Sequence, residues 1–195
     1  MESLEKILQE SFCLSSFRQG QKTIIENVLE GKDVLAVLPT GGGKSLCYQI
    51  PALATQKLVL VVSPLIALMK DQVKALSRLG IPCGCIHSGQ SEEEKMNVFR
   101  KIQEGGPFLL YLSPERIARE GFKRWIRNKP LALFAVDESH CISQWGHDFR
   151  EEYGQLSILK ELRPEVPVLA LTASATPLVI QDIAKRLGLK SPARH

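Results

Sequence analysis

An α/β fold, three layers with an open parallel sheet between two layers of helices, is predicted by three features of the 195-residue sequence. Short apolar runs of strand length alternate with longer amphipathic segments. Several runs are apolar almost throughout, as in Leu58-Val59-Leu60-Val61-Val62 and Leu131-Ala132-Leu133-Phe134-Ala135-Val136. Strands read this way when helices cover both faces of a parallel sheet. Glycines fall where the amphipathic segments end, at the point where a helix C-terminus favours a left-handed residue.

In chain order, the spacing predicts a helix over 19–30 closed by Gly31, then a strand over 33–38. A helix over 44–54 and a strand over 58–63 follow. Next come a helix over 66–79 stopped at Gly80 and a strand over 83–87. Ser91 with Glu94 three residues later has the form of a capping box and opens a helix over 91–103 that breaks at Gly105-Gly106. The remaining strands are Phe108–Leu112, Leu131–Val136 and 167–171, and the last helix is Pro177–Leu187, ended by Gly188. The repeated strand-then-helix order implies right-handed crossovers and an open sheet. No repeat or linker divides the chain, so residues 1–195 read as one domain.

Apolar residues make up 44% and charged residues 24%, a globular composition rather than a disordered or fibrous one. A net charge of +4 permits a nucleic-acid partner without arguing for one. The five cysteines, Cys13, Cys47, Cys83, Cys85 and Cys141, form neither a disulfide framework nor the paired spacing of a zinc site, and Cys83 and Cys85 read as buried thiols. The first residues lack a signal-peptide pattern, and no apolar run approaches the ~20 residues that cross a bilayer. An intracellular protein without membrane attachment is expected.

Two motifs carry chemistry. Thr40-Gly41-Gly42-Gly43-Lys44-Ser45 follows a strand and opens a helix, where free N–H groups and the positive end of the helix dipole meet phosphates. The glycines let backbone amides wrap the phosphate chain, Lys44 reaches the β/γ oxygens, and the Ser45 hydroxyl can ligate Mg²⁺. Leu38 stands where the full pattern has glycine. The strand Leu131–Val136 runs into Asp137-Glu138-Ser139-His140. Parallel sheets present ligands at the carboxyl ends of their strands, so both motifs should face one crevice. Asp137 is then the expected Mg²⁺ holder and Glu138 the base that positions an attacking water.

Beyond these motifs, the block Cys141-Ile142-Ser143-Gln144-Trp145-Gly146-His147-Asp148-Phe149-Arg150 resembles the aromatic-rich loop of the RecQ family of DNA helicases, in superfamily 2. Phe17-Arg18-x-x-Gln21, Leu46 to Ala52, Val62 to Gln72, Ser113-Pro114-Glu115-Arg116 and Leu171-Thr172-Ala173-Ser174-Ala175 resemble further motifs of that family, in its order, from about Phe12 to Leu189. The resemblance implies the first RecA-like motor domain of a P-loop NTPase that uses ATP and Mg²⁺. It also implies translocation on single-stranded DNA and 3′-to-5′ unwinding of partly duplex DNA in repair and recombination. By the same resemblance, Arg18 and Gln21 recognise adenine, and Lys44, Asp137, Glu138 and His140 serve hydrolysis. Ser63, Lys70 and Ser113 contact the DNA backbone. Gln144, Trp145, His147, Asp148, Phe149, Arg150, Thr172 and Ser174 bind DNA or couple it to the nucleotide.

The resemblance further implies a second motor domain that supplies an arginine finger, with zinc-binding and winged-helix domains after it. That motor would be either excised here or carried on another chain. A bacterial protein would act in the cytoplasmic nucleoid, a eukaryotic one in the nucleus. Cys13, Leu14, Ser139 and Ser174 depart from commoner family residues without removing a catalytic group. The alternatives are an RNA helicase of the Asp-Glu-x-His group, a non-catalytic nucleic-acid-binding module, and a P-loop phosphotransferase. The aromatic-rich block argues against the first, and intact Lys44, Ser45, Asp137 and Glu138 argue against the second. The third needs a second substrate pocket, of which the sequence gives no sign. His87 and His195 have no partner by spacing and are expected to be structural or exposed.

Overall fold

The computed structural model describes residues 1–39 and 43–195; the predicted phosphate-loop residues Thr40, Gly41 and Gly42 lie outside the described residues. The strands are β1 (Val34–Val37), β2 (Leu58–Val62), β3 (Cys83–Ile86), β4 (Phe108–Leu112), β5 (Leu131–Val136), β6 (Val168–Thr172) and β7 (Ala193–Arg194). They form one sheet in the order β3-β4-β2-β5-β6-β1-β7, with every pairing parallel. The helices are α1 (Leu4–Phe12), α2 (Gln21–Leu29), α3 (Leu46–Thr55), α4 (Ile66–Arg78), α5 (Glu92–Gln103), α6 (Pro114–Ile117), α7 (Glu120–Ile126), α8 (Ile158–Leu162) and α9 (Pro177–Leu187).

One rule arranges these pieces. From β1 to β3 the chain steps toward one edge of the sheet, and from β3 to β6 it steps back. Crossovers of a single hand must then lie on opposite faces for the two directions. The core divides accordingly. Residues of α1 to α4 pack with Val34, Ala36, Val59 and Val61 on one face. Residues of α5, α7, α8 and α9 pack with Leu35, Leu60, Val62 and Phe134 on the other. Burial on both faces is complete for β2 and β4, which is why those segments are apolar without alternation.

The predicted helices and strands are all present; Phe108–Leu112, Leu131–Val136 and Pro177–Leu187 keep their predicted bounds and the others have shifted ends. Gly20, at φ 86°, starts α2 at Gln21 rather than 19. Lys44 and Ser45 lie in a turn, so α3 starts at Leu46. The sixth strand sits one residue later than predicted, because Pro167 has no N–H to give the ladder and Thr172 pairs with Val37. Ser91 and Glu94 form the capping box. Among the described residues, α1, α6, α7, α8 and β7 are additional, as are two 3₁₀ turns at Ser139–Ile142 and Glu151–Gln155. The strand β7 is held by backbone bonds from Ala193 N–H to Asp33 O and from His195 N–H to Leu35 O.

The entry to the sheet is pinned by one buried carboxylate. Asp33 is 4% exposed, and its Oδ1 accepts from Lys160 Nζ and from Val168 N–H, each at 2.9 Å. Its Oδ2 accepts from Lys190 N–H at 2.9 Å. One side chain thus joins the starts of β1 and β6 to α8 and to the segment leading into β7. Asp33→Ala strands an ammonium and two amides, a loss of about 3–5 kcal/mol for a buried, hydrogen-bonded charge. A urea titration should show stability falling by that amount, through a lower unfolding midpoint with an unchanged slope.

Candidate nucleotide site and coupling loop

Carboxyl ends of the strands converge on one edge, and the predicted residues gather there. β6 lies between β1 and β5, so the loop after Leu38 and the segment after Val136 are two strands apart. Leu38 N–H donates to Thr172 O at 3.0 Å, and Asp137 N–H donates to Val62 O at 3.0 Å. Lys44 Nζ then lies 3.5 Å from Glu138 Oε1 and 4.0 Å from Asp137 Oδ1. The phosphate-loop lysine and the two acidic residues, far apart in sequence, share one crevice, as the strand-end argument predicted.

Each acidic group is held differently. Asp137 Oδ1 accepts from Glu138 N–H at 2.9 Å, and Tyr153 Oη donates to the Asp137 carbonyl at 2.9 Å. Burial pushes the Asp137 carboxyl above its ordinary range, and the nearby Lys44 charge pulls the other way. Glu138 sits at φ 50°, ψ 44°, a left-handed conformation that costs a non-glycine residue about 1–2 kcal/mol. That turn points the next residues back toward β6. There His140 Nδ1 lies 2.8 Å from Thr172 Oγ1 and 3.5 Å from Glu138 Oε2. Burial holds the His140 imidazole below its ordinary range, with the Glu138 charge opposing.

The motif at residues 17–21 meets Gly43 directly. Gln21 is 1% exposed. Its Oε1 accepts from Arg18 N–H at 2.8 Å and its Nε2 donates to Gly43 O at 3.0 Å. Gly43 has φ +73°, and a Cβ there would stand 2.2 Å from Gln21 Nε2. Ser45 leaves α3 without a side-chain cap, so its hydroxyl serves no helix end. The hard oxygens of Ser45 and Asp137 suit a Mg²⁺ ion. His140, Cys141 and Asp148 also bring ligand atoms within 4.8 Å of one another. Burial pushes the Cys141 thiol up to about 12, however, and its S–H points to Asp148 Oδ2 at 3.9 Å, a hydrogen-bonded junction.

The loop after His140 is largely exposed. Trp145 is 67% and Phe149 43% exposed, so neither ring is a core residue. Gln144, His147 and Asp148 are exposed as well, and Arg150 is half-buried beside Asp148 at 3.4 Å. The His147 ring stacks on His140 with centroids 4.3 Å apart. A Cβ at Gly146 would come within 2.7 Å of His140 O, so the turn admits only glycine there. Ser63 and Ser113 are buried at the ends of β2 and β4, and Lys70 is exposed on α4. Ser174 is exposed, with its carbonyl accepting from Thr172 Oγ1 at 3.2 Å.

Sequence reasoning missed the residues that anchor this loop. Ser143 Oγ donates to Asp182 Oδ2 on α9 at 2.7 Å and accepts from Trp145 N–H at 3.2 Å. Tyr153 and Asp182 carry no motif signal; only the fold brings them here. His195, expected to lack a partner, lies 2.8 Å from Asn27 through Nε2. Buried His87 accepts from Gly89 N–H at 3.1 Å. Cys47, Cys83, Cys85 and Cys141 are buried free thiols, and Cys13 is exposed. No helix among the described residues is long and apolar enough to cross a membrane.

Because Gly43 is constrained by both conformation and space, Gly43→Ala should displace Gln21 and strain the loop by about 1–3 kcal/mol. A thermal melt should show destabilisation of that size. Gln21→Ala, which relieves the clash, should recover part of it in the double variant.

Comparison with known proteins agrees with this geometry. Residues 18–183 match the DEAD/DEAH box helicase family. An "ATP-dependent DNA helicase RecQ" of Pasteurella multocida is 48% identical over 186 residues, covering 95% of this chain and 29% of that protein. A "Probable ATP-dependent DNA helicase RecS" of Bacillus subtilis is 43% identical over 196 residues, covering 100% of this chain and 39% of that protein. The chain therefore spans between 29% and 39% of the length of these two relatives. The crystal structure of the Pyrococcus furiosus Hef helicase domain superposes with a TM-score of 0.69 at 22% identity, covering 91% of this chain and 38% of that one; it supports the fold alone. With the phosphate-loop lysine, the paired carboxylates and the family match on the same strand ends, the chain belongs to the DEAD/DEAH box helicases, with RecQ helicases among its relatives.

Proposed function

We propose that this chain is the ATP-binding first motor domain of a RecQ-type DNA helicase. In this reading it couples hydrolysis to movement on single-stranded DNA and 3′-to-5′ unwinding of partly duplex DNA during repair and recombination. The observation that carries the reading is the position of Lys44 within 4.0 Å of both Asp137 and Glu138, at strand ends beside an exposed aromatic loop. Such a motor works where DNA is, in the bacterial nucleoid or the eukaryotic nucleus.

Lys44 pairs with β/γ phosphate oxygens, in charge-assisted hydrogen bonds stronger than neutral ones. Gly43 and the predicted loop residues Thr40, Gly41 and Gly42 give backbone N–H groups to the same phosphates. Ser45 and Asp137 would hold Mg²⁺, which supplies charge neutralisation across the phosphate chain. Glu138 orients the attacking water, and His140 ties Glu138 to Thr172 at the start of the coupling segment. Arg18 and Gln21 face adenine; the Gln21 amide bonded to Gly43 would register the base at the phosphate loop. A facing motor domain would supply an arginine to the transferred phosphoryl group.

Ser63 and Ser113 at the strand ends and Lys70 on α4 serve as DNA-backbone contacts, which read phosphate rather than sequence. Trp145 and Phe149 present open ring faces on which bases stack, each worth ~1–3 kcal/mol. From Trp145 the route to the water-positioning group is short: Ser143 and Gly146 fix the turn, His147 stacks on His140, and His140 meets Glu138.

Titration with a fluorescent ATP analogue should show Lys44→Ala binding roughly ten- to a hundredfold more weakly, the effect of deleting one hydrogen-bonding ammonium from a phosphate. Equal affinity would remove the assignment. In the full-length motor, Glu138→Gln should keep nucleotide and DNA binding and lose turnover with or without DNA.

Trp145→Ala should behave in the opposite way. Because the ring is exposed, stability should change by no more than about 0.5 kcal/mol, and basal hydrolysis and nucleotide affinity should hold while DNA stimulation falls sharply. An RNA oligomer that stimulates as well as DNA would favour the RNA-helicase reading instead.

A further inference from the structure

A second concave site lies on the α5–α9 face, away from the nucleotide crevice. A cavity of about 580 Å³ opens between α5 and α7 over β3 and β4, a size in the range of binding pockets. Leu110 and Leu112, both buried, form its floor, and Phe99, Phe122 and Trp125 its walls. The aromatic walls brace one another, with Trp125 5.1 Å from Phe99 and 6.1 Å from Phe122 between ring centroids. Met96, half exposed, stands at the rim, and its flexible thioether adapts to varied shapes.

The charged side chains that line this cavity are of one sign. Arg116, Arg119 and Lys129 line it, and among the described residues no carboxylate does. Lys129 Nζ lies over the Trp125 ring at 5.4 Å. Arg116 is half-buried, and neither guanidinium has a carboxylate within salt-bridge distance among the described residues. Burial, and after it the Arg119 charge, hold the Arg116 guanidinium below its ordinary range, with the Glu92 and Glu115 charges opposing without prevailing. Two neighbouring arginines that form no salt bridge among the described residues, beside a preformed apolar cavity, favour a ligand that brings an anion and an apolar anchor together.

We infer that the cavity between α5 and α7 docks an acidic peptide segment of a partner protein. One large apolar side chain enters between Phe99, Phe122 and Trp125 while flanking carboxylates meet Arg116 and Arg119. A nucleobase is a poorer occupant, since the hydrocarbon floor and walls leave its polar edges unpaired. Aromatic anchors and arginines are the residue types that dominate binding energy at protein interfaces. The inference does not rest on the nucleotide site.

The test uses the chain itself and fluorescein-labelled peptides with one central Phe flanked by Glu, read by anisotropy. Wild type should bind the Phe peptide saturably, and a counterpart with serine at the centre about tenfold or more weakly. Arg116→Glu with Arg119→Glu should abolish binding of the acidic peptide and create binding of a Phe peptide flanked by Lys. That gain could not come from an unfolded variant. Affinity for a fluorescent ATP analogue should stay unchanged throughout.

Absence of saturable binding overturns the proposal, as does equal binding of the serine peptide. A thymidine oligonucleotide that binds with the same dependence on Arg116 and Arg119, and displaces the peptide, would assign the site to DNA instead.

Discussion

β6 hydrogen-bonds β1 on one side and β5 on the other, and the distance between the phosphate loop and the acidic pair depends on that placement. Adjacent strands lie about 4.8 Å apart, so one intervening strand separates the two motifs by roughly 10 Å. A lysine stem reaches across such a gap to a carboxylate; with two intervening strands it would fall short. The intervening strand also contributes. Thr172, at its end, takes the His140 contact and the Leu38 amide bond. The sheet order therefore sets the reach of Lys44 to the acidic pair and places the Thr172 segment between them.

That order follows from crossover handedness and from what each strand end can bury. Asp33 closes the opposite end of the same strands, holding the starts of β1 and β6 and the approach to β7 with one carboxylate. The loop edge holds the less settled features: Glu138 in a left-handed conformation, a buried Asp137, and the buried Ser139 hydroxyl, which has no hydrogen-bond partner among the described residues. Strain and costly burial at one edge, with a well-bonded floor at the other, is how a fold holds reactive groups in place.

The strands were legible because burial on both faces leaves an unbroken apolar run, as in Leu58–Val62. The crevice that holds Lys44, Asp137 and Glu138 was legible because its two motifs keep fixed residue types at fixed offsets after strands. Both signals are local. The order β5-β6-β1 is not local, and neither are the anchors of the loop. Asp182 reads in sequence as an ordinary helix-surface acid beside Arg186, and Tyr153 as one more apolar residue. Their roles toward Ser143 and Asp137 exist only once α9 and the turn at residues 151–155 are packed. The helix Leu4–Phe12, absent from the predicted elements, does carry a local signal. Ser3 caps it through Lys6 N–H, and Leu4, Ile7, Leu8 and Phe12 keep helical spacing. Cys13, at φ 57°, ends that helix in the conformation glycine adopts most easily, so the usual stop signal is missing there.

Large apolar side chains exposed to solvent are concentrated beyond the strand ends. Leu65 and Leu68 follow β2, Trp145 and Phe149 follow β5, and Leu178 follows β6. Exposed apolar groups gathered on one side of a domain mark a contact surface, and here they share the strand-end edge with Lys44, Asp137 and Glu138. With a net charge of only +4, this domain has little general attraction for a polyanion. Under the proposed function, grip at that edge would have to come from stacking and from neutral donors, short-range forces that act only when the loop is correctly shaped. Such an interaction would suit coupling better than plain affinity. It would form and break with the geometry of residues 143–150, where His147 stacks on His140 and His140 meets Glu138.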